Sequence, residues 1–315
     1  MAELDAAVAA WLGKVNAAQV ERLAAGWVAT PIGAREALAG LIAAMVPPGP
    51  KLPWVNEAMV TGGDCPVPLR IYHPAPQEAR PVLVYCHGGG HMAGSVSCYD
   101  PVCRRLAASS GHIVVAVEYR LAPENPYPAA LDDVALVLRQ LWPTLDAAGV
   151  RYRPERTLGG DSGGAALAAT LVQRGQHDAA LACQRLLLIY PSVDYTLTQP
   201  SIRRLGQGYL LEAERIAWYF AHYFRLGGDR VAASPLHGEV TAAHPPTLLI
   251  TGGFDPLLDE GAAYAQKLAA AGVTVDYHCE AQHIHGFMLL EALLPQVCAA
   301  NYQRIASFLQ QPLPA

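Results

Sequence analysis

Continuous apolar runs recur along this chain and alternate with segments of helical periodicity. Four of these runs are "PVLVYC" at 81–86, "HIVVAVEY" at 112–119, "RLLLIYP" at 185–191 and "PTLLITGG" at 246–253. A short apolar run without polar alternation is typical of a strand that is buried on both faces of a parallel sheet. Amphipathic stretches such as "AALDDVALVLRQLW" at 129–142 lie between or after the runs. The alternation predicts an α/β fold in which helices cover both faces of a mostly parallel sheet.

The start of the chain has a different character. Two segments rich in alanine and leucine, "ELDAAVAAWLGKV" and "PIGAREALAGLIAAMV", predict two helices, and "VPPGPKLP" at 46–53 forms a linker after them. A further aromatic-rich helix is predicted at 208–224, where it interrupts the alternation of strand and helix. We therefore expect N-terminal helices over 1–50, an α/β domain over 51–315 and a helical insertion at about 200–225.

Charge and cysteine content argue against several functional classes. The 315-residue chain has a formal net charge of −5 and no cluster of basic residues, so neither nucleic acid nor an anionic membrane surface is an expected partner. The N-terminus lacks the pattern of a signal peptide, and no apolar run reaches the ~18 residues of a membrane span. Seven scattered cysteines without metal-ligand spacing predict free thiols. We expect a soluble, cytoplasmic protein without a metal site.

A G-x-S-x-G pattern lies in the segment "TLGGDSGGAAL" at 157–167 and places Ser162 between glycines. Glycines on both sides of a serine permit a sharp turn from a strand into a helix, and the hydroxyl projects from that turn. The helix that follows directs the positive end of its dipole toward the same point. The pattern is a weak indicator alone, because glycine-rich turns before helices are common, so its meaning depends on partner residues.

Two segments supply such partners. Asp255 follows the apolar run at 246–253, and His285 follows the next predicted strand, "VTVDYHCE". The order Ser, Asp, His along the chain is that of the α/β-hydrolase triad. Histidine titrates near neutral pH, so it takes the serine proton and returns it to the leaving group. A carboxylate fixes the tautomer of the imidazole and stabilises its cation.

The glycine run in "CHGGGHMAGS" at 86–95 follows another apolar run. Nucleophilic attack on an ester carbonyl builds negative charge on oxygen, and each backbone N–H aimed at that oxygen lowers the barrier by roughly 3 kcal/mol. Glycine lets the backbone approach a substrate because no Cβ intervenes. Gly88, Gly89 and Gly90 are therefore candidate oxyanion-hole residues, and the N–H of Gly163 is a further donor.

Six motifs together indicate a family. They are "HGGG" at 87–90, "EYRLAPENPYPAALDD" at 118–133, "GDSGG" at 160–164, "SPL" at 234–236, "DPLLDE" at 255–260 and "HGF" at 285–287. Over roughly residues 55–310 the chain resembles the hormone-sensitive-lipase-like (bacterial family IV) carboxylesterases of the α/β-hydrolase fold. The resemblance implies an α/β-hydrolase domain with a helical cap, to which residues 1–45 and the helix at 208–224 are expected to contribute.

The resemblance implies that Ser162 is the nucleophile, Asp255 the triad acid and His285 the base. Two neighbours compete for these roles. His283 lies two residues before His285, but the "HGF" pattern is complete only at His285. Asp259 lies one helical turn after Asp255, and we interpret it as an acidic residue at a helix N-terminus.

The resemblance also implies that Gly88, Gly89 and Gly90 form the oxyanion loop, with Gly89, Gly90 and Gly163 as the N–H donors. Two departures from the family pattern bear on this loop. The family usually reads G-D-S-A-G-G, and Gly163 stands at the position of the alanine, which keeps the N–H but loosens the turn. An aromatic residue commonly follows HGGG, and here it is His91, which is expected to contact substrate or to lie at the pocket rim.

Several other polar residues are expected to be structural. We predict that His87 holds the glycine loop through a hydrogen bond, that Asp161 braces the serine turn, and that Arg120 pairs with Asp132 or Asp133. The aromatic side chains of the 208–224 segment line an acyl pocket or pack the cap against the core, and the sequence leaves both roles open. These side chains are Trp218, Tyr219, Phe220, Tyr223 and Phe224.

The sequence thus predicts a serine carboxylester hydrolase that uses no metal and no organic cofactor. Its expected substrates are small-molecule esters with short to medium acyl chains, hydrolysed through an acyl-enzyme intermediate. An amidase or deacetylase on the same triad stays open as an alternative. A non-catalytic small-molecule receptor on the same fold is a second alternative, and the presence of His285 argues against it. A homodimer paired through an edge strand is a hypothesis that follows from the resemblance.

Overall fold

An eight-stranded sheet forms the centre of the computed structural model, which describes residues 2–313. Its strands are β1 Trp54–Val60, β2 Val67–His73, β3 Arg80–Cys86, β4 Ile113–Val117, β5 Tyr152–Asp161, β6 Arg185–Ile189, β7 Thr247–Phe254 and β8 Val275–Ile284. Their order across the sheet is β1-β2-β4-β3-β5-β6-β7-β8. Within these residues, β2 alone runs opposite to the other strands: it is antiparallel to β1 and β4, and the remaining neighbouring pairs are parallel. The predicted α/β fold with a mostly parallel sheet is confirmed.

Helices cover both faces of the sheet. They are α1 Ala6–Ala24, α2 Pro31–Met45, α3 Asp100–Ser110, α4 Ala129–Ala147, α5 Gly163–Gly175, α6 Pro200–Arg204, α7 Ala213–Tyr223, α8 Arg230–Ala233, α9 Leu258–Ala270 and α10 Pro295–Gln310. Side chains of α4, α5 and α9 share one buried cluster with the sheet, and those of α3 and α10 share the other. Within residues 2–313, none of the helices has the length and apolar character needed to cross a bilayer.

The apolar runs form the most deeply buried strands. Every residue of β4 and β6 is buried, as are all but the first residue of β3. Burying a leucine, isoleucine or valine side chain contributes roughly 1.5–3 kcal/mol relative to leaving it exposed. These strands therefore form a rigid platform. The parallel strands end at one edge of the sheet, where the chain continues into residues 87–90, Ser162, Asp255 and, one residue after β8, His285.

A cap formed by the N-terminal helices and the insertion between β6 and β7 covers this edge. Asn16 of α1 donates a hydrogen bond to the carbonyl of Gly208 at 3.0 Å, and Gln19 donates to Glu212 at 3.1 Å. Arg35 of α2 donates to the backbone carbonyl of Met92 at 2.9 Å. The two parts of the cap thus bond to each other, and α2 bonds to the loop after the glycine run.

The inserted helix begins later than the sequence predicts. The prediction placed it over 208–224, whereas α7 spans Ala213–Tyr223. Gly208 and Leu210 have positive φ angles of 81° and 71°. A right-handed helix does not accept that conformation, so the predicted start was wrong.

Two other elements differ from the pattern in the sequence. Strand β1 was not predicted, because it is an edge strand whose side chains are mostly half-buried or exposed and give no continuous apolar run. The helix predicted over 129–142 continues to Ala147 and contains Pro143. A proline removes one helical hydrogen bond, but the apolar face of α4 extends to Leu145, which is buried against the sheet.

Candidate active site

A sharp turn between β5 and α5 presents Ser162 to the edge of the sheet. Ser162 has φ 53° and ψ −120°, a backbone conformation that non-glycine residues rarely adopt and that is typical of a strained nucleophile turn. The turn packs against the end of β3 so closely that a Cβ at Gly164 would lie 2.1 Å from the carbonyl oxygen of Cys86. Glycine at 164 is therefore required for this strand-to-helix transition.

Three predicted residues from three different loops meet at this turn. The Oγ of Ser162 lies 2.9 Å from Nε2 of His285, and Nδ1 of His285 lies 2.8 Å from Oδ2 of Asp255. Asp255 is 1% exposed, and its other oxygen accepts a hydrogen bond from the backbone N–H of Leu257 at 2.8 Å. A carboxylate oxygen accepts, so Nδ1 carries the proton and Nε2 is left to accept from the serine hydroxyl.

The packing around His285 restricts its motion. The phenol ring of Tyr190 lies 4.9 Å from the imidazole, centroid to centroid, and Phe287 packs against Tyr190 in turn. Tyr190 itself has a positive φ of 35° at the end of β6. Sequence reasoning missed Tyr190, since it stands at the end of an apolar run like many core residues. Its contact helps to fix the orientation of the imidazole.

The structure places the competing residues elsewhere. His283 is 5% exposed and packs near Phe287, and none of its hydrogen bonds is to a serine or a carboxylate within the described part of the chain. Asp259 lies in the first turn of α9 and pairs with Arg204 at 3.0 Å, as expected for a helix N-terminal acid. Asp194, another acidic residue that follows a strand, accepts hydrogen bonds from Thr196 rather than from His285.

The glycine run folds over the serine turn. Gly89 and Gly90 have φ angles of 125° and 62°, which favour glycine, and an ideal Cβ on Gly163 would lie 3.3 Å from the nitrogen of Gly90. Between residues 2 and 313, no acceptor takes the N–H of Gly89, Gly90 or Gly163. Gly88 differs, because its N–H donates to Oδ1 of Asp161 at 2.8 Å. Three of the four candidate N–H groups therefore remain available to an oxyanion.

Asp161 connects the serine turn to the glycine loop. Besides Gly88, its carboxylate accepts hydrogen bonds from the hydroxyls of Tyr85 and Tyr99, both at 2.9 Å. Burial raises the pKa of Asp161 to about 6, although the three hydrogen bonds oppose that shift. The sequence predicted that Asp161 braces its own turn, and the structure shows that it also holds the loop at Gly88. The two tyrosines were not foreseen, because they come from other segments.

The two histidines that flank the glycines are both buried. His87 stacks on Tyr119 with ring centroids 4.4 Å apart, and its Nδ1 lies 2.9 Å from the carbonyl of Gly88. This contact agrees with the structural role expected for His87. His91 is 1% exposed, stacks on Tyr223 at 3.9 Å and contacts the hydroxyl of Tyr195 through Nε2 at 3.1 Å. Burial lowers the pKa of His91 to about 3, so its ring is neutral near pH 7.

A cavity of about 490 Å³ opens above the serine and is enclosed mostly by apolar side chains of the cap. The aromatic side chains of α7 divide between the two roles that the sequence left open. Tyr219 and Phe220 line the cavity, whereas Tyr223 and Phe224 pack against Tyr195 behind it. Trp218 lies outside the lining, beside Arg215.

Two further expectations concern groups outside the cavity. Arg120 pairs with Asp133, at 2.8 Å, which decides between the two acids considered. All seven cysteines are free. The part of the chain that the structure describes holds no group of three or more histidine, cysteine or acidic side chains placed to bind a metal ion.

Comparison with known proteins assigns the chain to a family. Residues 83–289 match the alpha/beta hydrolase fold family. Among curated proteins, an ethyl acetate hydrolase of Pseudomonas putida is 37% identical over 236 residues, which cover 73% of this chain and 74% of that protein. The esterase LipI of Mycobacterium tuberculosis is 35% identical over 255 residues, covering 78% and 79% of the two chains.

Solved structures give the same assignment. An ester hydrolase from the metagenome of Lake Arreo superposes with a TM-score of 0.87 at 30% identity, over 97% of this chain and 98% of the other. A hyperthermophilic esterase from the archaeon Pyrobaculum calidifontis gives a TM-score of 0.84 at 29% identity, over 98% of each chain. The chain therefore belongs to the α/β-hydrolase fold family, and within it to the hormone-sensitive-lipase-like carboxylesterases that its motifs resemble.

Proposed function

We propose that the protein is a serine carboxylesterase in which Ser162 attacks the ester carbonyl. The observation that carries this proposal is the imidazole of His285, which contacts Ser162 Oγ on one side and the Asp255 carboxylate on the other. A serine hydroxyl is a weak nucleophile until a base takes its proton. The similarity to an ethyl acetate hydrolase and to the esterase LipI supports the same reaction, the hydrolysis of a carboxylic ester.

The reaction proceeds in two halves. Nε2 of His285 takes the Ser162 proton as Oγ bonds to the carbonyl carbon, and then gives that proton to the departing alcohol oxygen as the ester C–O bond breaks. A water molecule next attacks the acyl-enzyme, again losing a proton to His285. The proton returns to Ser162 Oγ as the carboxylic acid leaves. Asp255 stabilises the imidazolium that forms in each half.

The N–H groups of Gly89, Gly90 and Gly163 stabilise the oxyanion of the tetrahedral intermediate. Support comes from their position against Ser162 and from the lack of any other acceptor for them between residues 2 and 313. Gly88 and Asp161 hold the loop in place rather than contact the oxyanion, since the Gly88 N–H donates to Asp161. Donors fixed before the reaction need no reorganisation as charge develops.

The preferred substrates are esters with acyl chains of up to about eight carbons. The cavity of about 490 Å³ lies at the low end of ordinary small-molecule sites, and cap residues such as Leu38, Tyr219 and Phe220 line it. A longer acyl chain has to extend past the cap into solvent, where it gains no further burial.

A series of 4-nitrophenyl esters from acetate to palmitate tests this preference. We expect kcat/KM to be highest at or below eight acyl carbons and to fall for laurate and longer chains. The matched 4-nitroanilide of the best acyl chain separates an esterase from an amidase, and we expect it to be hydrolysed far more slowly. A maximum at palmitate would contradict the proposed chain length, and faster turnover of the anilide would favour the amidase.

We also propose a reducing compartment, such as the cytoplasm, and a homodimer. The seven free cysteines support a reducing compartment, because disulfides are rare where thiols are kept reduced.

The outer edge of β8 supports the homodimer, since it is an unpaired edge of the sheet and the middle residues of β8 are only partly buried. Light scattering at micromolar concentration should give the mass of two chains, and a mass near 33.5 kDa would remove the dimer proposal.

A further inference from the structure

We propose that the cavity binds esters that carry an anionic group remote from the scissile bond, and that Arg22 and Arg215 recognise this group. The inference deepens the proposed esterase function and rests on it for the reaction. Arg22 lies near the end of α1 and Arg215 near the start of α7, and both belong to the lining of the cavity that contains Ser162. The anionic group is a carboxylate, the simplest anion that a small ester can carry.

The two guanidinium groups gather around one indole ring. The Cζ atom of Arg22 lies 5.9 Å from the ring centroid of Trp27, and that of Arg215 lies 5.5 Å from the same centroid. Arg215 also lies 5.3 Å from the ring of Trp218. Aromatic contacts of this kind hold a guanidinium in place while leaving its N–H groups free to donate.

Neither arginine has an acidic partner in residues 2–313. No carboxylate in this part of the chain lies within salt-bridge distance of Arg22 or Arg215, whereas Arg35 and Arg204 of the cap each pair with one. Asp161 is the only acidic side chain in the cavity lining, and its carboxylate already accepts three hydrogen bonds far beneath the cap. The cavity therefore carries two uncompensated positive charges at its cap end and no uncompensated negative charge.

The arrangement suits a substrate with two different ends. The ester carbonyl lies at the serine turn, between Ser162 and the glycine loop, and the apolar middle of the substrate contacts residues such as Leu38 and Phe220. A terminal carboxylate then reaches the guanidinium groups at the outer end of the cavity, where Arg215 is half-buried and Arg22 is exposed. Arginine binds carboxylates through paired N–H donors, and the half-buried Arg215 forms a stronger charge-assisted bond than an exposed side chain does. Monoesters of dicarboxylic acids have this architecture.

Matched ester pairs test the inference. Monoethyl succinate, adipate and suberate are compared with ethyl butyrate, hexanoate and octanoate, with acid release followed by titration at constant pH. We expect the ratio of kcat/KM for the anionic ester to that for its neutral partner to fall about tenfold or more in the Arg22→Gln/Arg215→Gln double variant. Added salt should lower the wild-type ratio as well, because it screens the charge pair.

Arg203→Gln is the control, because it removes the same charge from an exposed position of the insertion outside the cavity lining. It should leave the ratio at its wild-type value. A ratio that is unchanged in the double variant, or that falls equally in Arg203→Gln, overturns the inference.

A binding measurement separates this inference from the proposed reaction. Calorimetric titration of the Ser162→Ala variant with monoethyl adipate and ethyl hexanoate should show tighter binding of the anionic ester, and the difference should be lost when both arginines are also changed to glutamine. If the wild type cleaves no ester but this difference is present, the esterase proposal fails and anion recognition stands. If the anionic ester binds no more tightly than the neutral one, anion recognition fails whatever the activity.

Discussion

Replacing Ser162 with alanine should lower kcat for the best 4-nitrophenyl ester by roughly 10⁴-fold or more, while the fold is kept. The loss is large because the other parts of a triad cannot form an acyl-enzyme without the nucleophile. The strained turn is expected to persist, since Ser162 already holds its positive φ with a Cβ present. Initial rates at saturating substrate, together with an unchanged circular dichroism spectrum, provide the measurement.

Ser192 offers a matched control for this prediction. It lines the same cavity and is 5% exposed, but its Oγ has no hydrogen-bond partner within residues 2–313. We expect Ser192→Ala to retain more than a tenth of the wild-type kcat. Comparable losses in the two variants would mean that the cavity tolerates no change at either serine, and the role of Ser162 as nucleophile would lose its support.

The second large effect concerns stability. Gly164→Ala should lower the free energy of unfolding by more than about 3 kcal/mol, or prevent folding. The added Cβ would lie 2.1 Å from the carbonyl oxygen of Cys86 and 2.3 Å from that of His87. Both atoms belong to the backbone at the end of β3, so neither can rotate away. Helix α5 or the strand end must shift, and both form the platform of the site.

Gly163→Ala is the control, one residue earlier in the same turn. Its Cβ would meet no atom closer than 3.1 Å, the distance to the backbone nitrogen of His91. The alanine also has the higher helix propensity, so the free energy of unfolding should stay within about 1 kcal/mol of wild type. Urea titrations of the two variants provide the comparison. Equal destabilisation by both substitutions would show that the close approach at Gly164 does not limit the fold.

The deeply buried strands and the order of the triad residues were accessible from the sequence because each depends on local pattern. A parallel strand buried on both faces needs an uninterrupted apolar run, and β3, β4, β6 and β7 all have one. The edge strand β1 has no such run, since one side of it meets no other strand. The start of α7 was misplaced because helical propensity does not register the positive φ angles of two residues before it.

The support of the glycine loop was not accessible in the same way. Tyr85 and Tyr99 reach Asp161 from positions 76 and 62 residues away along the chain, and no spacing rule links such residues. Tyr85 lies within an apolar run, so the sequence presents it as an ordinary core residue. The burial of His91 likewise depends on Tyr223, whose position follows from how the insertion folds back over the site. Such contacts are fixed by tertiary packing.

Covalent labelling shows directly whether Ser162 is the activated nucleophile. The protein is treated with a reactive alkyl phosphonate ester, which transfers its phosphonyl group to an activated serine, and the digested chain is analysed by mass spectrometry. We expect one adduct per chain, on the peptide that contains Ser162, and a strongly reduced yield in the His285→Ala variant. An adduct on a different residue, or ester hydrolysis that continues with Ser162 unmodified, would contradict this expectation.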